Sequence, residues 1–159
     1  MPLDRTLLIA AFLFTVAAGV LPLASYGTAL ARSAGAPAWI EAPFRLACHG
    51  IDSRSLHVAG TPMPICARCF AIYVGALAGI CLFLAIPPLR LQLPALVLLF
   101  AVIPMGIDGL TQAAGFREST NTLRVGTGSL AGAVFMLWAL GNVARAPRVI
   151  PDESTEPAR

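Results

Sequence analysis

The chain has no lysine at all and little charge of either sign. Only 12% of its 159 residues are charged, where a soluble domain carries about 25%. With 57% of residues hydrophobic, too few charges remain to cover a water-facing surface, so much of that surface must face lipid. A net charge of +3 without a basic stripe interleaved with aromatics gives nucleic acid nothing to hold, and no nucleic-acid partner is expected. All 11 cations are arginines. Arginine is permanently charged and shaped to grip carboxylate or phosphate with two parallel hydrogen bonds, although a genome-wide codon bias is the plainer source of the pattern. Cysteine is scarce too, with four, at 48, 66, 69 and 81. Cys81 sits inside an apolar run and reads as a small buried hydrophobe; the other three gather around one polar loop.

What the chain does have is long apolar runs. Four stretches, at about residues 6–31, 67–86, 93–114 and 123–143, each approach the ~20 residues that a helix needs to cross a ~30 Å hydrocarbon core. Lipid offers the backbone no hydrogen-bond partners, so these segments must be helices. The fold expected is an all-α membrane protein, a bundle of about four transmembrane helices forming one domain over residues 1–145, with a disordered tail at 146–159. The first run resembles a secretory signal with Ala29-Leu30-Ala31 as a cleavage site, but it exceeds the ~7–15 residues of a signal's apolar region, so it reads as a retained helix. Gly75 with Gly79, and Gly128 with Gly132, place small residues four apart on the second and fourth helices, which lets helix backbones approach closely. Pro22 and Pro104 are expected to kink the first and third helices.

The loops differ in content. The polar loop at 32–66 carries Trp39, Arg45, Cys48, His49, Arg54, Ser55 and His57, and its Ala38–Leu46 stretch suits a segment lying at the interface. The third loop holds Arg117, Ser119, Thr120 and Asn121. With four spans these two loops share a face of the membrane. Cys66-Ala-Arg-Cys69 is a CxxC at the entrance of the second helix, where the helix terminus and a neighbouring arginine favour the thiolate. Cys48-His49 precedes that CxxC, with the 16 residues 50–65 between them. Cys48, His49, Cys66 and Cys69 make a candidate zinc set, with three ligands and an open position as one arrangement because adjacent Cys48 and His49 strain to share an ion. The plainer alternative is a redox-inert thiol cluster. His57, isolated between Leu56 and Val58, reads as an ordinary loop histidine.

Asp108 and Gln112 share one face of the third helix. An acid ~10 Å inside a helix end costs several kcal/mol unless paired or hydrated, which makes it a site candidate; a structural ion pair with Arg124 explains it equally well. Ser119, Thr120 and Asn121 offer caps for the fourth helix. Arg117 and Arg124 flank that helix start, and with Arg54, Ser55 and Arg68 they compose an anion pocket; arginines that only snorkel to headgroups are the plainer reading of each singly.

Taken in order, Cys48-His49 and Arg54-Ser55, then Pro64-Ile65-Cys66-Ala67-Arg68-Cys69 with Ile72-Tyr73 and Gly75, then Asp108-Gly109, Thr111-Gln112, Gly115, Arg117, Ser119, Asn121 and Arg124 resemble the signature of a prokaryotic multi-pass membrane-protein family catalogued as a domain of unknown function. The resemblance covers roughly residues 45 to 140. It implies that the matching polar residues form a common site, and it brings no established activity.

Three functions fit these residues. The first is a zinc site at the bilayer surface on Cys48, His49, Cys66 and Cys69. Beside it Asp108, Arg117 and Arg124 would be reactive groups, with Arg54, Ser55, Arg68, Gln112, Ser119 and Asn121 binding an anionic or lipid-derived ligand. The second is a quinone-coupled thiol–disulfide oxidoreductase using Cys66 and Cys69, for which Cys48 alone makes a poor shuttle pair. The third is a transporter subunit, which requires an oligomer. Six arginines fall on the site face and five on the other, so the positive-inside bias is nearly silent. Clustered free thiols suit a reducing compartment, which places the site loops on the cytoplasmic side of the cell membrane.

Overall fold

The computed structural model describes residues 5–86 and 93–144. The expected tail at 146–159 and the short second loop with Arg90 lie outside the described residues. Four helices, each long and apolar enough to cross a bilayer, make the chain an all-α membrane protein: α1 (Arg5–Ser33), α2 (Ala67–Ala85), α3 (Ala95–Ala113) and α4 (Asn121–Val143). Pro22 and Pro104 lie within α1 and α3, and each helix continues through its proline. The outward faces are apolar, with Phe12, Leu23, Phe100 and Leu110 all exposed. In water that much exposed apolar surface would be a liability; in hydrocarbon it matches the solvent.

The helices of the central pair, α2 and α4, meet backbone to backbone. A Cβ added to Gly75 would strike the Ser129 carbonyl, and one on Gly132 would strike the Ile72 carbonyl. At Gly128 the added carbon would stand 2.8 Å from the Arg68 carbonyl oxygen. The two glycine pairs therefore interdigitate, each facing the other helix. On the half of the bundle away from the polar loops, Leu7, Ala11 and Ala18 of α1 pack with Ala76, Ile80 and Phe83 of α2 and Met136, Leu137 and Leu140 of α4. α3 is peripheral. It buries only Ala101 and Asp108.

Cys81 departs from expectation: it is exposed on the outer face of α2. A thiol is small and weakly polar, so it sits in lipid at little cost.

The long loop is more ordered than its composition suggests. A 3-10 helix at Ala38–Leu46 leaves Trp39 and Leu46 largely exposed, as a segment resting on the interface would. An antiparallel hairpin follows, β1 (Ser55–Val58) and β2 (Thr61–Cys66). Its two-residue turn, Ala59-Gly60, has positive φ at both positions, the mirror-image turn whose twist matches paired strands. Two prolines in β2 and an alanine at the turn conceal this hairpin in the sequence. The strands survive because a two-stranded ribbon has outer edges that need no N–H donor.

Candidate functional site

The hairpin ends where α2 begins, and this junction positions the thiols. Cys66 closes β2 and caps α2, its sulfur accepting the Cys69 backbone N–H at 3.4 Å. The Cys66 N–H in turn donates to the Cys48 sulfur at 3.2 Å. Gly50, with φ of +57°, turns the chain just after Cys48-His49, and an added Cβ would stand 3.2 Å from the Pro64 carbonyl oxygen. The result is that the sulfurs of Cys48, Cys66 and Cys69 all lie within 4.8 Å of one another. Sulfurs bound tetrahedrally to one zinc at ~2.3 Å stand roughly 3.8 Å apart, so small side-chain rotations would bring the three thiols onto one ion. Hydrogen bonding by the Cys69 side chain, opposed by burial and aided by the Cys69 and Arg68 backbone N–H groups and by Cys48, lowers the Cys66 thiol from its ordinary 9.0 to about 5. A thiolate is the ligand form, and the fold favours it here. His49 lies outside this set of three.

A cavity of about 300 Å³ opens beside the thiols. Arg54, Arg68, Arg124, His49 and Gln112 help to line it, and no carboxylate among the described residues does. Arg124 is only 4% exposed. Its Nη1 donates to Asn121 Oδ1 at 2.6 Å while its buried Nε has no hydrogen-bond partner among the described residues. The buried Nε of Arg68 has none either.

Asp108, 2% exposed, pairs with Arg68 and Arg117, not with Arg124 as one reading of the sequence had it. Arg124 lies on the first turn of α4 and reaches back to Asn121 instead. Arg68 Nη2 donates to Asp108 Oδ2, Arg117 Nη2 donates to Oδ1 at 2.5 Å, and the Ser119 hydroxyl donates to Oδ2 at 2.8 Å. Three donors occupy most of the roughly four acceptor sites of a carboxylate. Of the polar trio before α4, Ser119 serves Asp108 and Thr120 caps the helix, its hydroxyl oxygen accepting the Leu123 N–H at 3.3 Å. Asn121 donates to the Ser55 carbonyl at 3.0 Å. That last bond ties the third loop to the first, so both polar loops meet at one end of the bundle. Ser55 is fully buried and contributes through its backbone. His57 is exposed on β1, outside the residues lining the cavity. The wall also uses Ala47, Gly50 and Ile51, which carry no chemical signal in sequence beyond their place beside Cys48.

Residues 48–138 match the family described as "Predicted membrane protein (DUF2085)", and the chain belongs to that family. It is similar to an uncharacterised protein of Methanocaldococcus jannaschii, 42% identical over 103 residues, which cover 64% of this chain and 66% of the relative. The chain thus spans slightly less than two thirds of that relative's length. An uncharacterised protein of Methanothermobacter thermautotrophicus is likewise 42% identical, over 89 residues covering 56% of this chain and 80% of the relative. No solved structure matches the chain significantly. The matched region starts at Cys48 and takes in α2, α3 and most of α4, so every residue of the site described above except Ala47 falls inside it.

Proposed function

We propose that this membrane protein holds one zinc ion on Cys48, Cys66 and Cys69 at the bilayer surface, with a fourth coordination position directed into the arginine-lined cavity. The approach of three sulfurs from two separate segments to within 4.8 Å carries the reading. The N–H···S bonds to Cys48 and Cys66 support it, since outer hydrogen bonds orient metal ligands and stabilise their charge. His49, on the cavity wall, is the protein's own candidate for the fourth position; otherwise that position is left to a ligand. Bound zinc would polarise an oxygen or lower the pKa of a water.

In this reading Arg54, Arg68 and Arg124 receive an anionic ligand, with Gln112 as a neutral donor beside them. Asp108 and Ser119 position Arg68, Arg117 shields the acid from the loop side, and Asn121 and Ser55 hold the two loops together. The chain resides in the cell membrane with this face towards the cytoplasm, where free thiols persist.

Elemental analysis of protein purified without chelators tests the metal. Near-stoichiometric zinc is expected, and it should vanish in a Cys66→Ser/Cys69→Ser variant that still purifies as a folded species. Zinc-free protein overturns the proposal, and a Cys66–Cys69 disulfide trapped in intact cells would replace it with thiol redox chemistry. Labelling of a cysteine introduced at Trp39, by an impermeant maleimide on intact cells, tests the orientation; labelling there would put the site outside.

A further inference from the structure

Directly beneath the polar cavity lies a second one. It is apolar, about 350 Å³, and walled by α1, α2, α3 and α4. Three pairs of residues relate the two. Cys69, Gln112 and Arg124 line the upper cavity; Ala76, Met105 and Ala131 line the lower one. Each lower residue is seven positions from its upper counterpart, towards the bilayer interior. Seven residues nearly complete two helical turns, so each pair shares a helix face, with a separation of ~10 Å along the axis. The cavities are therefore stacked on the same side of α2, α3 and α4. The upper one lies at the polar end of the bundle and the lower one within its span.

Their chemistry is opposite. The upper wall presents Arg54, Arg68 and Arg124 with no carboxylate among the described residues, and the buried Nε donors of Arg68 and Arg124 have no partner among the described residues. A buried cation with an unmet donor is costly unless an anion completes it. Asp108 does not meet this demand for Arg124, because Arg68, Arg117 and Ser119 already occupy it. The lower wall is hydrocarbon and aromatic, including Ile72, Tyr73, Met105 and Phe135. A free anion would use only the upper space, and a neutral hydrophobe only the lower.

We propose that the paired cavities bind one molecule of a phosphate-headed lipid, its phosphate among Arg54, Arg68 and Arg124 and the first part of its hydrocarbon chain in the groove below. Guanidinium forks match phosphate oxygens geometrically, and a phosphate among Arg54, Arg68 and Arg124 would bring the negative charge that no carboxylate among the described residues lining this wall supplies. The headgroup then lies next to the three thiols. This rests on the reading of the arginine-lined cavity as a ligand site, and it does not need the metal.

The test is native mass spectrometry of the full chain in detergent, with zinc measured on the same samples. Three probes separate the parts: dioleoyl phosphatidate, dioleoylglycerol without the phosphate, and inorganic phosphate without the chains. One retained phosphatidate is expected, with each partial probe bound roughly tenfold or more weakly. Arg124→Gln should weaken phosphatidate roughly tenfold or more, the scale of a lost hydrogen bond to a charged group. Ala17→Phe, which fills the groove from the exposed side of α1, should weaken phosphatidate but leave zinc content unchanged. Equal binding of inorganic phosphate and phosphatidate overturns the proposal, as does indifference to both substitutions. Bound zinc with no retained phosphatidate overturns it while leaving the metal site standing. Retained phosphatidate without zinc removes the metal and leaves the lipid.

Discussion

α2 and α3 both join the bundle, but by different physics. The α2–α4 seam is a matter of shape: Gly75, Gly79, Gly128 and Gly132 let main chains touch, and dispersion over many close atoms does the rest. α3 fully buries only Ala101 beside Asp108, with Leu98, Val102 and Met105 half-buried. Its anchor is one carboxylate held by Arg68 of α2, Arg117 and Ser119. A seam built from shape fails by overpacking, whereas an anchor built from charge fails when one partner is removed. The charged anchor also fixes Arg68, one of the three arginines that line the cavity, so α3's attachment and part of the site's geometry rest on the same bond.

The largest effect should follow from Asp108→Ala. Removing one partner of a buried ion pair typically costs about 3–5 kcal/mol, and here it strands Arg68 while freeing α3. Unfolding in mixed micelles, with spin-label distances between α3 and α4, should show lost stability and a displaced α3. A stable protein with unchanged distances would mean that apolar contact alone holds this helix.

Gly132→Leu is expected to come next, at about 3 kcal/mol, the upper end for overpacking, because the obstructing Ile72 carbonyl is main chain and cannot rotate away. The same substitution at Gly126, which has open space around it, should be nearly neutral. Equal effects at the two positions would remove the seam from the comparison.

Asn121→Ala should cost about 2 kcal/mol, the loss of a neutral bond to Ser55 and of a charge-assisted bond from Arg124. Its signature is local: faster hydrogen exchange in the hairpin with α2–α4 packing intact. Unchanged exchange there would show that the loops do not depend on this tie.

The smallest effect concerns pH. The folded Cys66 thiol sits at about 5 against an ordinary 9.0, so its thiolate adds stability that is full above about pH 9 and declines as pH falls towards 5. In chelator-treated protein, the difference in unfolding midpoint from a Cys66→Ser variant should shrink over that window. A constant or growing difference would deny the lowered value.

Much of this architecture was legible in advance. Scarce charge and four runs of about 20 apolar residues require membrane helices, because unsatisfied backbone groups in lipid cost too much for any other form. The thiols were legible as a cluster from the CxxC and the Cys-His upstream of it, and the shared face of the two polar loops followed from counting four spans. The partners of Asp108 were not legible. Arg68, Arg117 and Arg124 all lie on the correct face, and choosing among them requires guanidinium positions set by helix rotation and by the α2–α4 contact. The hairpin was hidden as well, since Ala59 is not a turn-forming residue and its positive φ is imposed by the strands it joins.

What the sequence determined by itself is where the chain lies relative to lipid and which residues carry chemistry, because both depend on composition along a line. Which arginines bond Asp108 and which line the cavity was decided only by the tertiary structure. So was the stacking of a polar cavity over an apolar one. Both depend on helix azimuth, which for α2 and α4 the glycine seam sets by excluding rotations that would put a side chain between two main chains.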